Sequence, residues 1–245
     1  MLGAMAEEDE LYSGEGLDIY EQAHYASGEH EEELDDLLSW YGRPEGRVLD
    51  LGCSGGLHAL ELARRGYHVV GVDAENLAIA RARERASGLE WARFEVMDLE
   101  ESNPRTLGDF DLIISLGNVL SHLSKVRLGT LLGELRSMLT PEGWLVFNVI
   151  SAERPFERVI TYWREGKPIM VWERHLEPRS GRISQTGDFL EASRKFHQHV
   201  FGYRKQEMLQ MAGQAGFGRA ETGTSPDFQP GKTKTQASFF VRCAP

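Results

Sequence analysis

Between Arg47 and Ile150 short apolar runs alternate with amphipathic stretches, and no other feature limits the possible folds as much. "RVLDL", "HVVGVD", "ARFEVMD", "FDLIISL" and "WLVFNVI" read as buried strands. "LHALELARRG" and "NLAIARARERASG" have helical spacing and end at Gly66 and Gly88. "VRLGTLLGELRSMLTPEG" is a third helix, predicted to stop at Thr140-Pro141. Strands alternating with helices at this spacing predict a parallel sheet with right-handed crossovers.

Upstream, "EHEEELDDLLSWYG" sets Leu34, Leu37, Leu38 and Tyr41 on one helical face, and Gly42 and Pro44 end that helix. Downstream the pattern changes near Ser151. β-type residues surround the turn signal "PRSG", and "SRKFHQHVFGY" is a further strand-like run, so 168–201 reads as an antiparallel insertion. "KQEMLQMAGQAGF" is an amphipathic helix and "ASFFVRC" a last strand. The predicted fold class is α/β: a doubly wound, Rossmann-like mixed sheet with an inserted antiparallel β-rich cap. Its expected parts are an acidic lid and helix segment (1–42), the Rossmann-like core (43–152), an inserted substrate cap (153–202), and a C-terminal helix and strands completing the core sheet (203–245).

Composition narrows the setting. At 41% apolar residues the chain can bury a core, yet no apolar run approaches the ~18 residues a bilayer span needs. The acidic N-terminus has none of the marks of a signal peptide. Cys53 and Cys243 form neither a disulfide framework nor a metal spacing. A reduced, cytoplasmic protein is expected. Net charge is 27 − 38 = −11, with thirteen acids and no Lys or Arg before Arg43. That segment reads as a solvated acidic helix and tail or as an interaction arm, and it argues against nucleic-acid binding, which needs a basic footprint. From Arg154 to Lys205 eleven bases face six acids, a local excess that suits an anionic substrate or a solvated face.

The loop "GCSGG" follows the first strand directly. In open α/β sheets ligands bind at the carboxyl ends of the strands near the switch in strand order. Small residues let the backbone approach such a ligand, and the next helix offers free N–H groups. A dinucleotide fingerprint would need glycine at 54 and 57, where the chain has Ser54 and Leu57. Asp50 would also repel a pyrophosphate. A cationic ligand reverses that argument. Asp50 suits an ammonium, and the loop amides suit a carboxylate.

"VLDLGCSGG" resembles the first motif of class I S-adenosylmethionine (SAM)-dependent methyltransferases, commonly hydrophobic-Asp/Glu-x-Gly-x-Gly-x-Gly. Asp50, Gly52 and Gly56 match, whereas Ser54 departs from the middle glycine and Gly55 stands beside it. The Ser54 hydroxyl would either bond the ligand carboxylate or cap the helix. The resemblance implies SAM as cofactor, held by Asp50 and by the loop at Gly52, Cys53, Ser54 and Gly56. Asp73, with Ala74 after it, would take the ribose hydroxyls, and Asp98 the adenine amino group. Met97 and Leu99 would sandwich the adenine, and the backbone near Leu116 would pass the methionyl moiety. It covers Arg47 to Ile150 well and the rest only in layout.

"GNVLSHL" and the order of cap, helix and last strand resemble small-molecule N-methyltransferases of the glycine/sarcosine or amino-sugar type. In that group a tyrosine-bearing N-terminal segment folds over the cofactor. Here Tyr20 is the expected sulfonium neighbour by cation–π attraction and Tyr25 a substrate contact, with Tyr12 upstream. His122 would orient or deprotonate the nucleophile, and Asn118 would hold a substrate carbonyl or hydroxyl. No metal is expected. "HQH" at His197 and His199 puts two imidazoles on one strand face without acids at ligand spacing. The expected partner is a small-molecule methyl acceptor, with neither membrane nor nucleic acid, in a possible homodimer. The alternatives are a tRNA- or protein-modifying methyltransferase and a non-catalytic SAM-binding module.

Overall fold

The computed structural model describes residues 5–6, 11–12, 14–27, 29–153, 158–164, 166–225 and 237–245. Its main sheet follows from the apolar runs. β2 (Arg47–Leu51), β3 (His68–Asp73), β4 (Ala92–Val96), β5 (Phe110–Ser115) and β6 (Leu139–Ile150) lie parallel in the order β6-β5-β2-β3-β4. β11 (Arg219–Gly223) and β12 (Ser238–Ala244) extend the β6 side antiparallel, which makes the sheet mixed and seven-stranded.

Both faces are covered, so the central strands are apolar on both sides. α2 (Glu29–Tyr41), α3 (Leu57–Arg64) and α4 (Asn76–Arg85) bury Leu34, Leu37, Leu60 and Ile79 against Val48, Leu112, Ile114 and Val146. On the other face α5 (Lys125–Ser137) and α6 (Lys205–Gln214) bury Leu128, Leu131, Leu132, Leu135 and Met208 against Leu49, Leu51, Ile113, Leu145 and Phe147. The expected stop of α5 at Thr140-Pro141 is corrected: the helix ends at Ser137, and Leu139 already pairs with Phe110. Pro141 cannot donate to the ladder, and the pairing with β5 shifts register between Phe110 and Leu112 to pass it.

After β6 the chain enters a second sheet. β7 (Val159–Arg164), β8 (Lys167–Leu176), β9 (Arg182–Phe189) and β10 (Arg194–Phe201) form an antiparallel meander, and the two-residue β1 (Met5–Ala6) lies parallel on β10. β7 was not among the expected strands. The cap's two ends meet at the end of β6, where Ala152 N donates to Tyr203 O (2.8 Å) and Tyr203 N to Ile150 O (2.9 Å). α1 (Gly14–Ser27) packs Ile19 and Tyr20 against the second sheet and meets α4 through ion pairs of Asp18 and Glu21. Leu11, Tyr12, Ile19 and Tyr20 pack with Trp172, Phe189 and Phe196 of the cap. Among the described residues no helix is long and apolar enough to cross a membrane.

Candidate active site

β2 has β3 on one side and β5 on the other, so the loops after β2 and β5 diverge at their carboxyl ends. Crevices of this kind hold ligands in open α/β sheets. Gly52 N and Cys53 N both donate to Val72 O, at 2.8 and 3.0 Å, which ties the loop to β3. Gly52 has φ +72°, and a Cβ there would collide with Val119 of the loop after β5. Only glycine lets the two loops come this close.

Asp50 is 2% exposed. Its carboxylate accepts from the Ala59 amide in the first turn of α3, while Oδ2 accepts no hydrogen bond. Burial, and then the nearby charge of Asp73, push its pKa up to about 7. A buried carboxylate oxygen without a donor is costly and calls for one. A ligand ammonium at this point would satisfy it, so the residues present fit SAM, whose aminoacyl group carries one.

Asp73, at the end of β3, accepts from Ser54 N through Oδ2 and from Glu75 N through Oδ1, both at 2.9 Å. Its pKa is raised, with burial outweighing these bonds. Ala74 follows in the same turn. Met97 N donates to Asp73 O (2.8 Å), which brings the loop after β4 alongside. Asp98 in that loop is exposed and accepts from Glu100 N at 2.8 Å, while Met97 is half-buried and Leu99 buried. Leu116 is buried at the end of β5. The structure thus brings Asp50, the glycine loop, Asp73, Met97 to Leu99 and Leu116 to one end of the sheet.

Two loop residues behave differently from expectation. The Cys53 side chain packs in the core between the sheet and α3, and a Cβ on Gly71 would lie 2.9 Å from its sulfur. Burial raises its pKa well above the thiol range, so only the Cys53 backbone can face a ligand. Ser54 has φ +46°, the left-handed region that glycine fills without cost. The N-cap of α3 is Gly56 at φ +90°, with no side-chain cap, so the capping role considered for Ser54 is corrected. Ser54→Gly should relieve about 1 kcal/mol of backbone strain, partly offset by unfolded-state entropy. Its melting temperature should be unchanged or slightly higher, and affinity for S-adenosylhomocysteine should change less than tenfold, or ~1.4 kcal/mol. A larger loss by calorimetry would assign the hydroxyl a direct contact.

The residues expected on the acceptor side come from three parts of the chain. Tyr12 OH donates to Gln198 Oε1 of the cap at 3.2 Å and lies 3.5 Å from His122 Nε2. The Tyr12 ring stands edge-on to Tyr20 (5.1 Å between centroids) and to His122 (5.5 Å). Burial raises the pKa of both tyrosines, so both stay protonated. Tyr20 packs with the cap cluster beside Tyr12. Tyr25 lies in α1, but its side chain is outside the described residues. Asn118 sits at φ +63° after β5; its N–H donates to Asn148 Oδ1 (2.7 Å), and its own Oδ1 is buried and accepts no hydrogen bond.

Sequence reasoning missed Gln198 and the bracing role of Asn148. Gln198 is 3% exposed and looked like one polar residue in a strand. Its partner Tyr12 lies 186 positions away, so no local signal marks the pair. His197 and His199 point to the other face of β10, each with Nδ1 3.1 Å from a hydroxyl, Thr186 and Ser184.

The chain is similar to known methyltransferases in sequence and in fold. A family described as "Methyltransferase domain" matches residues 48–143. Along 97% of its length the chain is 24% identical to a glycine/sarcosine/dimethylglycine N-methyltransferase from Actinopolyspora halophila, of which it covers 46%. The chain spans less than half the length of the first curated relatives it matches. The CcbJ methyltransferase from Streptomyces caelestis superposes with a TM-score of 0.76 at 16% identity, over 97% of this chain and 96% of that one. A SAM-bound amino pentose methyltransferase from Micromonospora echinaspora gives 0.66 at 20% identity, over 93% and 97%. At these identities the structural likeness is one of fold.

Proposed function

We propose that this chain, a member of the class I SAM-dependent methyltransferases, methylates a small-molecule amine. One observation carries the cofactor side: the buried Asp50, whose Oδ2 lacks a donor, stands at the switch point beside a glycine loop and Asp73. Such a pair of carboxylates suits a cation and two ribose hydroxyls and repels a pyrophosphate. Asp50 would hold the ammonium, Asp73 the ribose, and Asp98 with Met97 and Leu99 the adenine. Tyr20 would face the sulfonium. When bound, SAM supplies a methyl group already activated by sulfonium.

The chain's own contribution is then placement and the exclusion of water. An amine acceptor needs only its lone pair aimed correctly, and the departing thioether is neutral. Asn118 Oδ1 is a buried acceptor without a donor, which an N–H or O–H of the acceptor molecule would satisfy. Tyr12 OH gives its proton to Gln198 and keeps a lone pair toward His122, so the His122 Nε2–H form is the one it stabilises. In that form Nε2–H is spent on Tyr12, which braces the ring, and an amine acceptor needs no base, so His122 is read as orienting the acceptor. His122→Ala should therefore lose less than ~100-fold in kcat, below the usual range of a general base. A larger loss with a changed acid limb of the pH–rate profile would make it the base. Labelled SAM with panels of amines, amino sugars and hydroxyl compounds tests the class. Turnover confined to amines is expected, and turnover confined to hydroxyls would reject the amine reading.

The names of the relatives support a small acceptor: glycine, sarcosine and dimethylglycine for one, an amino pentose for another.

A further inference from the structure

Gly55 stands beside the position where the methyltransferase motif has its middle glycine, and it has no positive φ that would explain the residue. Its surroundings do. A Cβ on Gly55 would overlap the Glu21 carboxylate and the Arg85 guanidinium. Glu21 comes from α1, with a side chain 7% exposed, and its Oε2 lies 2.7 Å from Arg85 Nη2 and 3.4 Å from Arg81 Nη1. Asp18, one turn earlier, meets Arg81 Nη2 at 2.6 Å. Arg85 Nη1 also donates to Gly55 O at 2.9 Å. Two acids of α1 are thus matched by two bases of α4, and the joint presses on the loop carbonyl.

We propose that Glu21 is a positioning residue: through Arg81 and Arg85 it latches α1 onto the glycine loop, and release of this latch sets the rate at which the nucleoside cofactor leaves. The inference rests on the cofactor reading above. α1 packs Tyr20 against Tyr12 and the cap and places Glu21 next to it, so the same helix joins the cap to the glycine loop. A buried carboxylate shared by two guanidiniums is held firmly, because separating it leaves an uncompensated charge in a poorly hydrated place. Glu21, Arg81 and Arg85 themselves line, with Asp18 and Gln22, a groove of about 750 Å³, which gives the released groups access to water. Gly55 is small so that the latch can close, whereas Gly52 is small so that two loops can meet.

The test uses the full chain with S-adenosylhomocysteine as probe. In the ligand-free protein, Glu21→Gln should speed amide hydrogen exchange in residues 14–22 about tenfold and leave β2 and β3 unchanged. Its dissociation rate for S-adenosylhomocysteine should rise about tenfold, with little change in association rate. Gly55→Ala should reproduce both effects from the loop side, and E21A/G55A should match E21A, since both changes break one joint. Arg81→Gln, on α4, is a milder variant should Glu21→Gln not fold. Unchanged exchange in α1, a freed α1 with an unchanged dissociation rate, or additive effects in the double variant would each overturn the latch. A wild-type protein that does not bind the probe would instead reject the cofactor reading, and the exchange measurements would still decide whether Glu21 holds α1.

Discussion

Asp50→Asn is expected to make the ligand-free protein more stable at pH 8 while removing most of its affinity for the cofactor. The wild-type carboxyl is buried, has one oxygen without a donor, and lies near Asp73. Its folded pKa of about 7 is above its ordinary value of 3.8. A group raised in this way favours the folded state fully below its unfolded pKa, and that advantage is lost as pH rises through the folded value. Above pH 7 the native state carries an ionised, poorly hydrated carboxylate, at a cost of up to ~4 kcal/mol. Asparagine keeps the acceptor for Ala59 N and carries no charge. Thermal melts should show the variant gaining on wild type between pH 5 and pH 8. Its affinity for S-adenosylhomocysteine should fall on the order of 100-fold, because a charge-assisted contact is lost. A variant less stable than wild type at pH 8, or one that binds as well, would contradict the role given to Asp50.

Asp73→Ala should have the second large effect, and of opposite sign on stability. Asp73 takes the Ser54 and Glu75 amides at 2.9 Å each. Without it the strained Ser54 loses its anchor and two amides lose an acceptor, a loss of about 1–3 kcal/mol. The cofactor would lose its ribose partner and a prearranged loop together, so affinity should drop at least ~100-fold. Asp73→Asn keeps one acceptor and should fall between. Unchanged calorimetric affinity in Asp73→Ala would remove this residue from the ribose role.

The division between what the sequence makes legible and what it does not is physical. Asp50, Asp73 and Asp98 lie at or just past the carboxyl ends of three successive strands, and strand periodicity marks those ends without tertiary information. The loop motif is local as well. The latch is not. Glu21 sits in an acidic segment that reads as solvated, and Arg85 lies 64 residues away in a helix whose charges have the same appearance. Only the packing of α1 against α4 brings these two surface-like residues together and buries the carboxylate. Tyr12 and Gln198 escape for the same reason, being joined by topology alone. β7, with the sequence VITYWR, is rich in β-branched and aromatic residues and lies before the expected start of the insertion at Pro168, and its pairing with β8 shows that the second sheet begins earlier. Ser54 shows the reverse case: the sequence marks it as unusual, and its φ explains why a glycine is the common choice there.

The central claim is that the crevice at the ends of β2, β3 and β5 takes a cationic nucleoside. Calorimetric titration of the full chain at pH 8 with SAM, S-adenosylhomocysteine and NAD tests it directly. One site for each of the first two, and no heat of binding with NAD, is the predicted result. Binding of NAD with no binding of S-adenosylhomocysteine would contradict the account at its root.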